Sequence, residues 1–153
     1  MTAKQYLSQA YYIDRQIRLD EEKIKAMESS LYGAGISYES DGSQKSHGDN
    51  SVEKAYCKVI DYKEKVKAEI SELIDIRLEI ENAIQSVSDS VQREILTRRY
   101  LLYQEWESRF DERTGDYIKG IAEKMNYSPS WIYFQHGKAL KKVKFEKESS
   151  KVE

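Results

Sequence analysis

From Ser128 to Lys142 the sequence sets hydroxyl, aromatic and basic side chains at helical spacing. Ser128 followed by Pro129 is a helix start: a serine oxygen accepts from an unpaired backbone N–H, and proline at the first helical position forfeits no hydrogen bond. Along that helix Ile132, Ala139, Leu140 and Val143 share the inward face. The remaining residue types are those that contact duplex DNA. Lys138, Lys141 and Lys142 suit phosphates, Ser128 and Ser130 suit a base edge or phosphate, and Tyr133 and Phe134 suit thymine methyls. His136 offers a phosphate or polar surface contact. Gly137 costs a helix about 1 kcal/mol relative to alanine, which marks a close approach of backbone to DNA or to another helix. The aromatic residues also suit docking of a protein such as RNA polymerase, and Trp131 or Phe134 can instead close a small core.

The elements that must position these residues extend N-terminally. Ile118, Ile121, Ala122 and Met125 fall on one face of a preceding helix whose pattern stops at Asn126-Tyr127. Two helices joined by a turn of three to four residues form the unit that lays its second helix in the major groove. Charge is concentrated here. From Tyr117 to Phe145 six lysines stand against Glu123 alone, a local +5 in a chain whose formal charge is −2.

Other chemistries find little support. No nucleophile has an evident base and orienter, no glycine-rich loop follows a strand, and no cofactor motif is present, so the chain does not read as an enzyme. Asp111, Glu112 and Asp116 are interleaved with Arg109 and Arg113, the pattern of a solvated loop. Only His47 and His136 supply imidazoles, neither at ligand spacing from a cysteine or carboxylate, so no metal site is expected. Cys57 is the single cysteine, a buried or idle thiol in a reducing compartment. No stretch approaches the ~20 apolar residues of a membrane span, so the expected setting is the cytosol.

With 34% charged and 39% hydrophobic residues and one proline, the composition favours long solvated helices. Residues 4–31 carry Ala10, Ile13, Ile17, Ile24, Met27 and Leu31 in steps of three and four, with Asp20 interrupting the seam. Tyr6, Tyr11 and Tyr12 add aromatic area near the start, as packing or as an RNA-stacking surface. Residues 32–50, rich in glycine and serine and containing His47, read as a flexible loop. A second helix over 51–87, capped by Asn50 or Ser51, repeats the rhythm through Ala55, Val59, Tyr62, Val66, Ile70 and Leu73, then Ile76, Ile80, Ile84 and Val87. These helices are expected to fold back as a long antiparallel coiled-coil hairpin over 1–88. The apolar stripes left over are expected to meet another helix or a second copy of the chain, giving a homo-oligomer. Ser88-Asp89-Ser90 caps a third helix, Val91 to about Trp106, with Ile95, Leu96, Tyr100 and Leu101 inward and Arg93, Arg98 and Arg99 outward. Residues 108–116 read as a loop, residues 89–145 as the DNA-binding domain, and 146–153 as a polar tail.

Arg93 to Tyr100, Ile121-Ala122 and Lys138-Ala139-Leu140-Lys141-Lys142-Val143 resemble, in turn, the leading helix, the first motif helix and the close of the second in the promoter-reading domain of bacterial sigma factors. Joined to a helical hairpin opening KQYLSQAYYIDRQI, the chain resembles phage-encoded ArpU/RinA-type late transcription regulators. The resemblance implies an all-α fold, a hairpin followed by a small sigma-like helix-turn-helix, and sequence-specific binding to double-stranded DNA. It departs from the sigma pattern at Pro129, Ser130, Tyr133 and Phe134, where that family presents arginine, glutamate and glutamine. It also departs in the length between Tyr100 and Tyr117, where Trp106-Glu107 resembles the start of the first motif helix with an insertion after it. The competing reading is a helical adaptor that binds a protein, such as RNA polymerase, with no DNA contact of its own.

Overall fold

The computed structural model describes residues 1–33 and 49–146, so the expected loop around His47 and nearly all of the polar tail lie outside the described residues. The described chain is mostly helical: α1 (Ala3–Gly33), α2 (Asp49–Gln85), α3 (Ser90–Leu96), β1 (Arg109–Asp111), β2 (Asp116–Ile118), α4 (Ile121–Met125) and α5 (Pro129–Lys142). It divides into two compact units, Met1–Asp14 with Ile76–Glu153 and Arg15–Asp75. The division falls inside α1 and α2, whereas the sequence reading placed it at residue 88.

In the Arg15–Asp75 unit the apolar stripes are only half covered. Val66 is buried, while Ile17, Ile24, Met27, Val59, Tyr62 and Leu73 are intermediate. Asp20, the residue that breaks the apolar seam of α1, is just 2% exposed. Its Oδ1 accepts from Gln16 Nε2 at 2.9 Å and Lys23 Nζ at 3.1 Å, one helical turn to either side. A carboxylate taken from water needs such partners. Lys63 of α2 pairs with Glu28 of α1. Ala55, expected inward, is exposed, and so is the thiol-bearing Cys57. The cap side chains Asn50 and Ser51 are outside the described set.

The other unit begins with a reciprocal cap. Gln5 N donates to Thr2 Oγ1 at 3.2 Å and Thr2 N to Gln5 Oε1 at 2.9 Å, so the start of α1 satisfies two otherwise unpaired donors. Leu7, Ala10 and Ile13 of α1 and Ile80, Ala83, Ile84 and Val87 from α2 onward are buried. Ile76, expected on the seam, is 41% exposed. The rhythm passes from Leu73 to Ile80 through Arg77 instead, and Arg77 Nε meets Asp14 Oδ1 at 3.1 Å. One residue is about 100° of helix, enough to turn Ile76 to solvent.

Asp89 caps α3, accepting from Gln92 N at 2.9 Å. The expected single helix to Trp106 stops early: its ladder widens to a π-helical turn over Thr97–Leu101, and Tyr103 follows with φ +56°. Leu101 is intermediate rather than buried, and the three arginines expected to point outward are half-buried and engaged. Arg93 reaches Val87 O at 3.0 Å, Arg98 pairs with Glu94 at 2.8 Å, and Arg99 reaches Gln104 O at 3.0 Å.

Residues 108–116, expected as a loop, contribute to an antiparallel hairpin in which Arg109, Phe110 and Asp111 face Ile118, Tyr117 and Asp116. Gly115, at φ +76°, makes the reversal, its N–H donating to Asp111 O at 2.8 Å. Ile118 is therefore a strand residue, and α4 begins only at Ile121. Gly120 lets the backbones meet at this junction. A Cβ there would lie 2.4 Å from the carbonyl carbon of Glu107. Ile121 N and Ala122 N donate to Glu105 O and Trp106 O at 2.9 and 3.3 Å, docking the extended segment against α4. Asn126, at φ +58°, ends α4, and Ser128 caps α5 through Trp131 N at 3.3 Å. Ile95, Ile121, Ala122 and Ile132 form the core of α3, α4 and α5, flanked by Val91, Trp106, Met125 and Trp131.

Candidate nucleic-acid interface

α5 has two sides. Ile132, Ala139 and Val143 are buried, and Gln135, His136 and Leu140 flank them at intermediate exposure. Opposite, Ser130, Phe134, Gly137 and Lys141 follow one another in steps of four, three and four, with Lys138 beside them, and all are exposed. Lys142 adds a cation at the edge. Among the described residues no carboxylate pairs with Lys138, Lys141 or Lys142. Phe134 is 59% exposed, and Lys138 Nζ sits 4.6 Å from its ring centroid. Gly137 faces open space, with nothing within 4 Å of the position a Cβ would take. The stripe therefore combines a hydroxyl, an aromatic ring, a gap and lysines on a helix whose other side is anchored.

The remaining sequence candidates lie elsewhere. Ser128 uses its Oγ in the cap. Trp131 stacks on Tyr127 at 4.1 Å and packs against the core, which assigns Trp131 to packing and Phe134 to the surface. Tyr133 sits at the margin of the exposed stripe with its ring 5.4 Å from that of Trp106. His136 turns inward: Tyr100 Oη lies 2.9 Å from its Nε2, and Trp106 meets its ring edge-on at 4.7 Å. Burial, helped by the charges of Lys4 and Arg99, pushes the imidazole down to about 4. It is neutral at pH 7 and turned away from the exposed stripe, so the phosphate contact expected of it has no place there.

Tyr133 and His136 instead border a cleft of about 490 Å³ that the sequence did not reveal. Its wall also includes Tyr11 and Tyr12 from α1, Tyr100 and Tyr103 around the π-turn, and Trp106. Tyr11 meets Tyr103 edge-on at 5.2 Å and Tyr12 at 5.6 Å. Tyr103 donates to Asp14, and burial followed by that carboxylate pushes its phenol up to about 12. Lys4 and Arg99 bring positive charge, and no acidic residue lines the cleft. The one sequence signal was the aromatic area of Tyr11 and Tyr12 near the start of an amphipathic helix, read as packing or as a stacking surface.

Among the described residues no group of His, Cys, Asp and Glu is arranged to hold a metal ion, and no helix is long and apolar enough to cross a membrane. Comparison with protein-family models, with curated proteins and with solved structures returns no match.

Proposed function

We propose that this chain is a sequence-specific DNA-binding transcription regulator in which α4 and α5 act as a helix-turn-helix. The observation that carries the reading is the exposed stripe Ser130, Phe134, Gly137, Lys141, with Lys138 alongside, on a helix anchored by Ile132 and Ala139. In a major groove Ser130 and Phe134 meet base edges and thymine methyls, the gap at Gly137 admits the sugar-phosphate wall, and Lys138, Lys141 and Lys142 hold phosphates. Ser128 supports by capping and His136 by packing. The resemblance to phage-encoded ArpU/RinA-type regulators extends the reading to control of phage or prophage late genes in the bacterial cytoplasm.

The reading also includes an antiparallel coiled-coil hairpin, supported by one α1–α2 ion pair in each unit, Asp14–Arg77 and Glu28–Lys63. Val52, Tyr56 and Ile60 lie exposed at steps of four on α2 and supply an apolar stripe for homo-oligomerisation. A two-fold dimer sets two recognition helices ~34 Å apart on a pseudo-palindromic site.

The test is fluorescence anisotropy with DNA from the chain's own genomic neighbourhood, against scrambled competitor. Retained binding under competition is expected, and its loss in the Lys141→Ala/Lys142→Ala double variant. Absence of binding at low salt, where phosphate contacts are strongest, overturns the reading. That result would favour the adaptor function, to which the exposed Phe134 is also suited as an anchor for a protein such as RNA polymerase.

A further inference from the structure

The aromatic cleft has no part in the DNA contacts just described, yet its chemistry is specific. Three of its rings, Tyr11, Tyr12 and Tyr133, are exposed, Tyr12 at 69%. Tyr11 meets Tyr12 and Tyr103 edge-on, each with 78° between planes, and the exposure of Tyr12 and Tyr133 leaves those two rings accessible to a planar guest. Arg99 lies over Trp106 with its Cζ 4.9 Å from the ring centroid, which holds the guanidinium at the cleft wall. Only its Nη1 is engaged, on Gln104 O at 3.0 Å, so the other donors of the fork face no carboxylate among the described residues. Lys4 is exposed and likewise has no carboxylate partner among the described residues.

A cage of rings by itself also suits a cation such as a quaternary ammonium. The charge decides against that guest: two cations and no carboxylate line the wall. At about 490 Å³ the space falls within the ~300–1,000 Å³ range of sites for small organic ligands. We infer that the cleft binds a nucleoside monophosphate, its base stacked against the exposed rings of Tyr12 and Tyr133 and its phosphate held by Arg99 and Lys4. Phosphate matches the guanidinium fork and carries enough charge for the lysine as well, while a base supplies a flat π-surface for the exposed tyrosine rings.

The test is isothermal titration of the full chain, at low salt and without DNA, by AMP, GMP, CMP and UMP in turn. At least one is expected to bind one per chain with Kd below about 1 mM, with its parent nucleoside and ribose 5-phosphate each about tenfold weaker. Lys4→Gln and Tyr12→Ala alter exposed side chains and leave the fold intact by circular dichroism. Each is expected to weaken the nucleotide at least about threefold, while Lys142→Ala, outside the cleft, leaves it unchanged. The inference is overturned if no nucleotide binds at millimolar concentration, if ribose 5-phosphate binds as tightly as the nucleotide, or if both cleft variants bind like the parent. Because no DNA is present, failure here is separate from failure of the DNA reading, which the Lys141/Lys142 variant reports.

Discussion

Gly120 and Gly137 are the same residue with opposite reasons for being there. At Gly120 a methyl group would press into the Glu107–Ser108 peptide, 2.4 Å from the carbonyl carbon and 2.7 Å from Ser108 N, and backbone cannot yield as a flexible side chain would. Gly120→Ala should cost about 2–3 kcal/mol in a urea titration. At Gly137 nothing stands within 4 Å, so the alanine variant should gain up to about 1 kcal/mol from helix propensity. If the groove reading holds, Gly137→Ala should nonetheless weaken DNA binding, because the added methyl fills the gap in the stripe. His136 makes a prediction of a different kind. Burial holds its folded value near 4 while the unfolded imidazole titrates at about 6.5, so both states are neutral above pH 6.5. As pH falls from there to about 4 the unfolded state alone takes the proton, and stability declines. With partial exposure discounted, the loss should be on the order of 1–2 kcal/mol, and His136→Asn should flatten the dependence of Tm on pH across that window.

At the scale of elements, periodicity revealed the helices and missed what lies between them. α1, α2 and α5 were legible because their apolar residues recur in threes and fours, and Asp89 and Ser128 were legible as caps. Thr2 and Gln5 form a capping box that only the first residues betray, so α1 starts before Lys4. Tyr117-Ile118 looked like the first turn of a helix because Ile118, Ile121 and Met125 fit helical spacing. The Asp111–Gly115 reversal instead pairs the segment with Arg109-Phe110, and strand and helix cannot be told apart over so short an apolar run. The cleft was illegible for a simpler reason: its wall draws on residues from Lys4 to His136, and spacing along a chain says nothing about that. The segment after α3 carries its own prediction. Tyr103 adopts a left-handed backbone that aromatic residues seldom use, and its hydroxyl donates to Asp14. Tyr103→Phe should lower stability by roughly 1 kcal/mol in thermal melts, more if the Asp14 carboxylate finds no other donor.

For the whole molecule, the formal charge of −2 says less than its placement. The DNA-binding reading predicts that log affinity falls linearly with log salt. Removing two phosphate contacts in the Lys141→Ala/Lys142→Ala variant should reduce the steepness by about 1.8, measured by anisotropy over a salt series. The Met1–Asp14 segment shares a compact unit with Ile76 onward, and Tyr6 stacks on Phe145 at 4.8 Å. That pairing imposes an order of events during translation. Buried Leu7 and Ala10 belong to a unit whose remaining residues, from Ile76 onward, are synthesised only after α1 and most of α2, whereas the partners within Arg15–Asp75 are complete before the end of α2 has emerged. The surface proposed to read DNA thus takes its form only once α5 has been made, so a nascent chain stalled before α5 holds the Arg15–Asp75 unit without that surface.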